Sequence, residues 1–454
     1  MAYRSINPFN GELLQQFASW DGGQLEQALT QVAAATPGWA DTALAERCRL
    51  MARLAAVVRA RRDALAALIT AEMGKLISEA LAEVDKCALV CDYYAEHGPA
   101  FLADEVIASD AGRSLVAYQP LGTVLAVMPW NFPLWQVFRF LVPTLLAGNT
   151  GLLKHASNVP QCALVVEELL TEAGFPAGVF RTLLIDAGRV ADVIADPRLQ
   201  AVSLTGSEAA GRQVAACAGQ YLKKSLLELG GSDAFVVLED ADLELAVAGA
   251  VTSRFLNAGQ SCIAAKRFIV VAAVAEAFRE RLVAAVAALR PGDPALETTT
   301  LAPLAREDLR QELQRQVRAS VAAGAVLVTG GEPLPGPGAF YPPTILDGVG
   351  PGMPAYEEEL FGPVAALIRV ADERQALAVA NDSRFGLGGS VWTADTARGE
   401  AFARGMQSGA AFVNGVVKSD PRLPFGGIKA SGYGRELSLL GIREFVNAKT
   451  LWCR

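Results

Sequence analysis

Three short segments of this chain carry residues whose types and spacing suit bond-making chemistry. Cys262 follows a polar Gly-Gln-Ser tripeptide and precedes a short apolar run that reads as a strand. Cysteines outside disulfides are mostly small buried hydrophobes, so a nucleophilic role requires partners. Glu228, 34 positions earlier, closes the apolar run SLLE and is followed by Leu-Gly-Gly; the glycines permit a tight turn and leave room for a substrate. Asn131 sits in MPWNFPLWQ, held between a Trp-Pro cluster and the start of a helix. Taken singly, a Glu at a strand end is ordinarily a solvated end residue, and an Asn there ordinarily caps the helix. Taken together, a thiol, a carboxylate and a rigid amide suit covalent catalysis: attack by sulfur, general base and oxyanion donor, the last worth roughly 3 to 4 kcal/mol.

A fourth segment, SLTGSEAAGRQVA, closes a strand with Thr205-Gly206-Ser207 and opens a helix. Free backbone N–H groups at such a helix start bind phosphate. The segment is not GxGxxG, so alone it is a weak signal.

Alternating secondary structure must position these residues. From Leu44 to Met73 apolar residues recur at helical spacing, with Gly74 at the C-cap position, which predicts one long amphipathic helix. After it, TVLAVMP, TGLLKH, VFRTLLI, AVSLTG and SLLELGG recur at intervals of about 20 to 30 residues with helical stretches between. That alternation predicts a doubly wound parallel sheet, with ligands beyond the C-terminal strand ends. A second series, AFVVLEDAD, RFIVV, AAVLVTGG and VAALIRV, predicts a second α/β domain. EVIASDAGRSLVAYQPLG reads as a β-hairpin about an Asp-Ala-Gly turn, and the C-terminal REFVNAKTLWCR as a strand seeking another edge.

Bulk properties narrow the class of function. At 454 residues, 52% apolar and net charge −8, the chain is an ordinary globular protein of two domains or one large domain with an appendage. It lacks the basic block that nucleic acid or an anionic membrane surface requires. Seven scattered cysteines read as reduced thiols, and two histidines, His97 and His155, do not make a metal site with Cys87 and Cys91. No apolar signal core opens the chain and no run is long enough to span a bilayer, so a cytoplasmic protein acting on a small molecule is expected.

Six pieces, PWNFP, LTGS, ELGG, NAGQSC, EEELFGPV and PFGGIKASGYGRE, stand in an order that resembles the aldehyde dehydrogenase superfamily over nearly the whole chain. The resemblance implies a Rossmann-like cofactor domain (1–101 and 121–227), a catalytic domain (228–431) and oligomerisation elements (102–120 and 432–454), assembled as a homo-oligomer. It implies Cys262 as nucleophile, Glu228 as general base, and Asn131 with the Cys262 N–H as oxyanion hole, with no metal required. For a cofactor, NADP or NAD, it maps Lys154 onto the adenosine ribose, Gly206 and Ser207 onto the pyrophosphate, Trp130 onto the cleft, and Glu359 and Phe361 onto the nicotinamide half.

Where many NAD-specific relatives carry Glu three positions after that Lys, this chain has Ser157. A carboxylate there would repel a 2′-phosphate by about 4 kcal/mol per unit charge at 4 Å and an effective dielectric near 20; Ser removes that obstacle. Arg139, eight residues after Asn131 on an apolar helix, is a costly place for a charge unless it is paired. It and Ser419 match the carboxylate anchors of succinate semialdehyde dehydrogenases, which implies succinic semialdehyde as substrate. Glutaric semialdehyde, a neutral aliphatic aldehyde and a CoA-acylating reaction are the alternatives, the last disfavoured by the retained Glu228. A cofactor-binding structural protein is disfavoured by the intact catalytic set.

Overall fold

The computed structural model describes residues 2–454. The first strand series forms a six-stranded sheet in the order Gly432–Tyr433, Lys224–Glu228, Leu199–Thr205, Thr123–Met128, Thr150–His155, Phe180–Thr182. All its pairings are parallel except that of Gly432–Tyr433. Side chains alternate between two apolar layers, as the two-residue period of a strand requires. Val124, Ala126, Met128 and Leu153 pack with the helices Leu44–Ala60, Ile77–Phe101, Trp135–Leu146 and Pro160–Ala173. Leu125, Leu152, Val202 and Leu227 pack on the opposite face with the helices Gly22–Ala40 and Glu208–Gln220.

The second series forms a seven-stranded sheet in the order Val326–Thr329, Thr344–Asp347, Val364–Val370, Ala265–Val271, Asp233–Val237, Gly389–Trp392, Phe412–Val413, parallel except at its first pair. The expected hairpin and C-terminal strand join in a third sheet, where Val446–Cys453 runs antiparallel to Arg113–Pro120 and Glu105–Val106 pairs on the other side. No helix among the described residues is long and apolar enough to cross a membrane.

Several elements differ from expectation. The single helix from Leu44 to Met73 is two, Leu44–Ala60 and Arg62–Met73, broken at Arg61 (φ −97°, ψ 10°). Neighbouring side chains on a helix point about 100° apart, and the break lets Arg61 reach Glu168 at 3.2 Å while Arg62 pairs with Asp85 at 2.6 Å. Gly74 caps the second helix in the left-handed conformation, as expected. Only Phe180–Thr182 of VFRTLLI is strand, because it is an edge and Leu183 adds one further bond to Leu153 O before the chain turns away. The strands Thr344–Asp347 and Gly389–Trp392 and the hairpin Ala2–Ile6/Leu13–Ala18 were not anticipated; the first two span four residues each, too few to show a period.

The two large sheets meet at Glu228. It is the last residue of its strand, it lies opposite Gly432, and the chain then passes through Gly230–Gly231 into the second sheet at Asp233. Ser431 fixes the joint: its carbonyl accepts from Leu229 N (3.0 Å) and its hydroxyl donates to Gly230 O (2.7 Å). Gly432 has φ +109°, and a Cβ there would collide with the Leu227 carbonyl. Gly432→Ala is therefore expected to lower stability by more than about 1 kcal/mol, read as a reduced urea midpoint; an unchanged midpoint would show that this pairing contributes nothing.

Candidate active site

The segment carrying Cys262 is built under backbone strain. The helix Leu243–Phe255 ends and three successive residues turn left-handed: Asn257 (φ 55°), Ala258 (φ 51°) and Gly259 (φ 76°). Such positions cost about 1 to 3 kcal/mol for non-glycine residues and persist only where the surroundings over-determine them. Here Arg254 donates to Gly259 O (2.6 Å) and Ala265 O (2.9 Å), and Gln260 accepts from Ala305 N (2.9 Å). Lys266, fully buried, donates to Ser261 O (2.9 Å) and Cys262 O (2.8 Å). Gly231 approaches so closely that a Cβ would stand 2.7 Å from Cys262 O, which is why the connection after Glu228 carries glycine there.

Asn131 is tied to this loop. Its Nδ2 donates to Gln260 O (3.1 Å), and Asn257 Nδ2 donates back to Asn131 O (2.8 Å). A carboxamide has two N–H donors, so one orients the group and the other is left for a ligand. His155, buried and pushed down to about 4 by that burial, stays neutral. Its Nδ1 accepts from Ala156 N (2.8 Å), so Nε2 carries the proton and donates to Pro133 O (2.8 Å), locking the loop to the neighbouring strand. Its task is structural.

The sequence reading missed a set of supports on the helix Ile77–Phe101. Glu83 accepts from Leu134 N and Trp135 N (2.9 Å each), capping the helix that carries Arg139, and pairs with buried Lys75. Glu79 accepts from Asn257 N (3.0 Å), and Lys86 donates to Ser419 Oγ (2.6 Å). Positions 79, 83 and 86 share one helix face, and charges recurring there beside Ala and Val were the available signal.

Glu228 is buried, and among the described residues neither carboxylate oxygen has a hydrogen-bond partner. Burial raises it well above the ordinary carboxylate range; Arg139 opposes the shift and Glu436 adds to it. Burial likewise pushes the Cys262 thiol up to about 12, against the pull of Arg139 and Lys266, and the charges of Glu359 and Glu228 add to the rise. Cys262 nevertheless opens onto a cavity of about 500 Å³, with room for water that favours the thiolate.

That cavity brings Cys262 together with Arg139 and Ser419, as the sequence implied, and adds Trp135, Phe132 and Lys86. Arg139 is itself engaged: its guanidinium forms a buried ion pair with Glu436, reaches Thr205 Oγ1 at 3.4 Å and lies 4.5 Å over the Phe425 ring. A charge on this apolar helix is thus paired, and Ser419 bonds to Lys86 instead of to Arg139.

The remaining expected residues gather at the C-terminal edge of the six-stranded sheet. Trp130 follows the strand Thr123–Met128, Lys154 and exposed Ser157 stand at the end of Thr150–His155, and Gly206–Ser207 follow Leu199–Thr205. The order places a switch point between Thr123–Met128 and Leu199–Thr205, where such sheets bind dinucleotides. Ser207 caps the helix Glu208–Gln220 through Ala210 N (3.3 Å), leaving earlier N–H groups to face a cleft of about 620 Å³ shared with Gly230, Glu359 and Arg384. Glu359 accepts from Gly231 N (3.0 Å) and faces Lys266 at 3.4 Å, and Phe361 meets Trp130 edge-on at 5.8 Å. Free helix-start donors, an arginine and a half-buried lysine are a donor set that fits a dinucleotide.

The aldehyde dehydrogenase family model matches residues 1–451. A probable succinate-semialdehyde dehydrogenase (NADP(+)) from Synechocystis is 52% identical over 452 residues, covering 100% of each chain. The succinate semialdehyde dehydrogenase Sad (NAD(P)+) from Escherichia coli is 49% identical over 99% of this chain and 97% of its own. The crystal structure of succinic semialdehyde dehydrogenase from Streptococcus pyogenes in complex with NADP+ is similar with a TM-score of 0.97 at 41% identity, covering 99% of each chain.

A thiol raised to this extent holds little thiolate at neutral pH, and the fraction grows about tenfold per pH unit below its pKa. Alkylation by iodoacetamide, followed on the peptide containing Cys262, is expected to be slow at pH 7 and to rise steadily past pH 9. A rate that levels off below pH 8 would contradict the raised value.

Proposed function

The chain belongs to the aldehyde dehydrogenase family, whose chemistry is NAD(P)+-dependent oxidation of an aldehyde to its acid, and on that premise we propose that its substrate is succinic semialdehyde. The observation that carries the reading is the cavity in front of Cys262, which combines an apolar wall with cationic Arg139 and Lys86 and the hydroxyl of Ser419. A short aldehyde with an anionic far end matches that lining better than a neutral one. The names of the relatives from Synechocystis and Escherichia coli point the same way.

In the proposed reaction the Cys262 thiolate attacks the aldehyde carbon to give a thiohemiacetal. The nascent oxyanion is met by the second N–H of Asn131 and by the Cys262 backbone N–H, which has no protein acceptor among the described residues. Lys154, the Ser207 helix start, Trp130, Glu359 and Phe361 would hold an oxidised nicotinamide dinucleotide, which when bound would supply a hydride acceptor. The acyl group then remains on Cys262 as a thioester. Glu228 removes a proton from an attacking water, and release of the acid returns the thiol. A base kept for water disfavours transfer to CoA.

NADP is read as accepted at least as well as NAD because Ser157 is exposed and uncharged. The strand Val446–Cys453 with exposed Leu451 and Trp452, beside exposed Val106 and Ile107, supports self-association into a dimer or tetramer. Seven free cysteines fit a cytoplasmic protein.

Reduced-cofactor formation with succinic semialdehyde tests the activity directly. Glu228→Gln is expected to give a burst of about one equivalent followed by turnover slowed roughly 100-fold or more, since acylation survives and deacylation loses its base. Because burial raises the Glu228 pKa, the carboxylate needed for deacylation is lost as pH falls through that raised value, so the acid limb of kcat lies above the usual carboxylate range; no burst and an unshifted limb would remove Glu228 from the role. Ser157→Glu is expected to move the NADP to NAD ratio of kcat/KM towards NAD by roughly 100-fold or more, from the repulsion of a 2′-phosphate. An NAD-only parent would refute the reading of Ser157.

A further inference from the structure

The chain leaves the helix Leu243–Phe255 at Leu256, whose N–H still reaches Thr252 O and whose ψ of 135° then turns the backbone out of helical register. The next residue, Asn257, is the first of the three left-handed positions before Cys262. Its amide donates to Glu79 Oε1 (3.0 Å) on the helix Ile77–Phe101.

Asn257 also joins the two halves of the site. Its Nδ2 donates to Asn131 O (2.8 Å) and to Gln260 O (3.1 Å), and Gln260 O accepts from Asn131 Nδ2 as well. The amide that meets the oxyanion and the loop that carries the thiol therefore both take their place from Asn257. A left-handed asparagine persists only where its surroundings hold it, and Glu79 is the side chain from outside the loop that holds its N–H.

Glu79 is an unusual residue for a helix side. Its Oε2 is buried in the wall of the cavity in front of Cys262 and has no hydrogen-bond partner among the described residues. Burial raises its carboxyl above the ordinary carboxylate range; the Asn257 N–H and then Lys75 oppose that rise, and Glu83 adds to it. Lys75 makes its direct ion pair with Glu83. A carboxylate in such a place is costly, and the hydrogen bond it makes goes to the nucleophile loop.

We infer that Glu79 is a positioning residue for the attack step: it fixes the left-handed turn through the Asn257 N–H, and Asn257 in turn sets the Cys262 loop against the Asn131 amide. The role concerns the aldehyde end that every substrate shares, so the assignment is independent of the succinic semialdehyde reading.

The test is the first-turnover rate of reduced-cofactor formation in the parent, Glu79→Ala and Glu79→Gln, with saturating succinic semialdehyde and with saturating butanal. NADP binding is followed by quenching of tryptophan fluorescence, and amide hydrogen exchange over peptides holding residues 255–262 and 265–271. Misplacing reacting groups by about 1 Å slows reaction roughly 100-fold, so E79A is expected to lower the first-turnover rate by roughly 30-fold or more with both aldehydes alike. The half-saturating aldehyde concentration and the NADP affinity should stay within roughly threefold of the parent, because the interaction lost is one of orientation and not of binding. Exchange in 255–262 should quicken roughly tenfold or more in E79A while 265–271 stays protected, as expected of a local opening. E79Q keeps an acceptor oxygen of the same reach and loses only the charge that makes the bond roughly twice as strong, so its rate and exchange should return to within roughly tenfold of the parent. A first-turnover rate in E79A close to that of the parent, a fall confined to succinic semialdehyde, an E79Q no better than E79A, or faster exchange spreading to 265–271 with loss of NADP binding would each overturn the assignment.

Discussion

The site depends on the grip of one buried ammonium on the nucleophile's own backbone. Lys266 opens the strand Ala265–Val271 and reaches back to the carbonyls of Ser261 and Cys262, while Glu359 faces it from the cofactor cleft. Three left-handed residues precede that loop, and an unsupported chain would relax them. The carbonyl bonds of Lys266 and Arg254 make the strained turn the best-satisfied arrangement available to these buried groups. Cys262 therefore starts from a fixed position between the two large sheets, and Asn131, bonded to Gln260, inherits the same reference frame.

A second constraint is charge. Glu228 and Glu436 are both buried, and Arg139 is the cation that both feel. Two carboxyls that share one cation in a low-dielectric site cannot both ionise without cost, so the one lacking a direct partner stays protonated more readily. Burial raises both; Glu436 has the direct ion pair with Arg139 to oppose it, whereas Glu228 has no hydrogen-bond partner among the described residues. A base held near the working pH range is the useful kind, since it is free to take a proton and to return it. Burial first, and then the pairing that made Arg139 tolerable on an apolar helix, thus set how readily Glu228 holds a proton.

Residues whose chemistry fixes both type and spacing were legible in the sequence. Glu228 ends a strand, Ser207 caps a helix, and Asn131 and Cys262 lie in the connections beside such ends, which the alternation of apolar runs located, while their roles were implied by the resemblance. The two sheets were legible because parallel strands buried on both faces appear as unbroken apolar runs. What escaped notice lacks either property. The four-residue strands are too short for a period, and the break at Arg61 is set by partners on two other helices. Arg254 and Lys266 bind carbonyls, which any sequence supplies, so nothing in their neighbours marks them. Glu83 and Lys86 look like the solvated charges of an ordinary amphipathic helix.

The helix Ile77–Phe101 shows what those unmarked charges accomplish. Its successive turns touch the nucleophile loop through Glu79, the Asn131 segment through Glu83, and the cavity wall through Lys86. A rigid helix fixes the spacing between these three contacts at 1.5 Å of rise per residue, so the loops after two different sheets share one ruler. The Lys75–Glu83 pair reinforces it, since leaving either charge buried without its partner costs about 3 to 5 kcal/mol. The distance between the Cys262 loop and the Lys86–Ser419 wall of the cavity is thereby set by a helix that carries none of the attacking groups itself, so the length of the cavity is fixed by the rise of that helix and not by the loops.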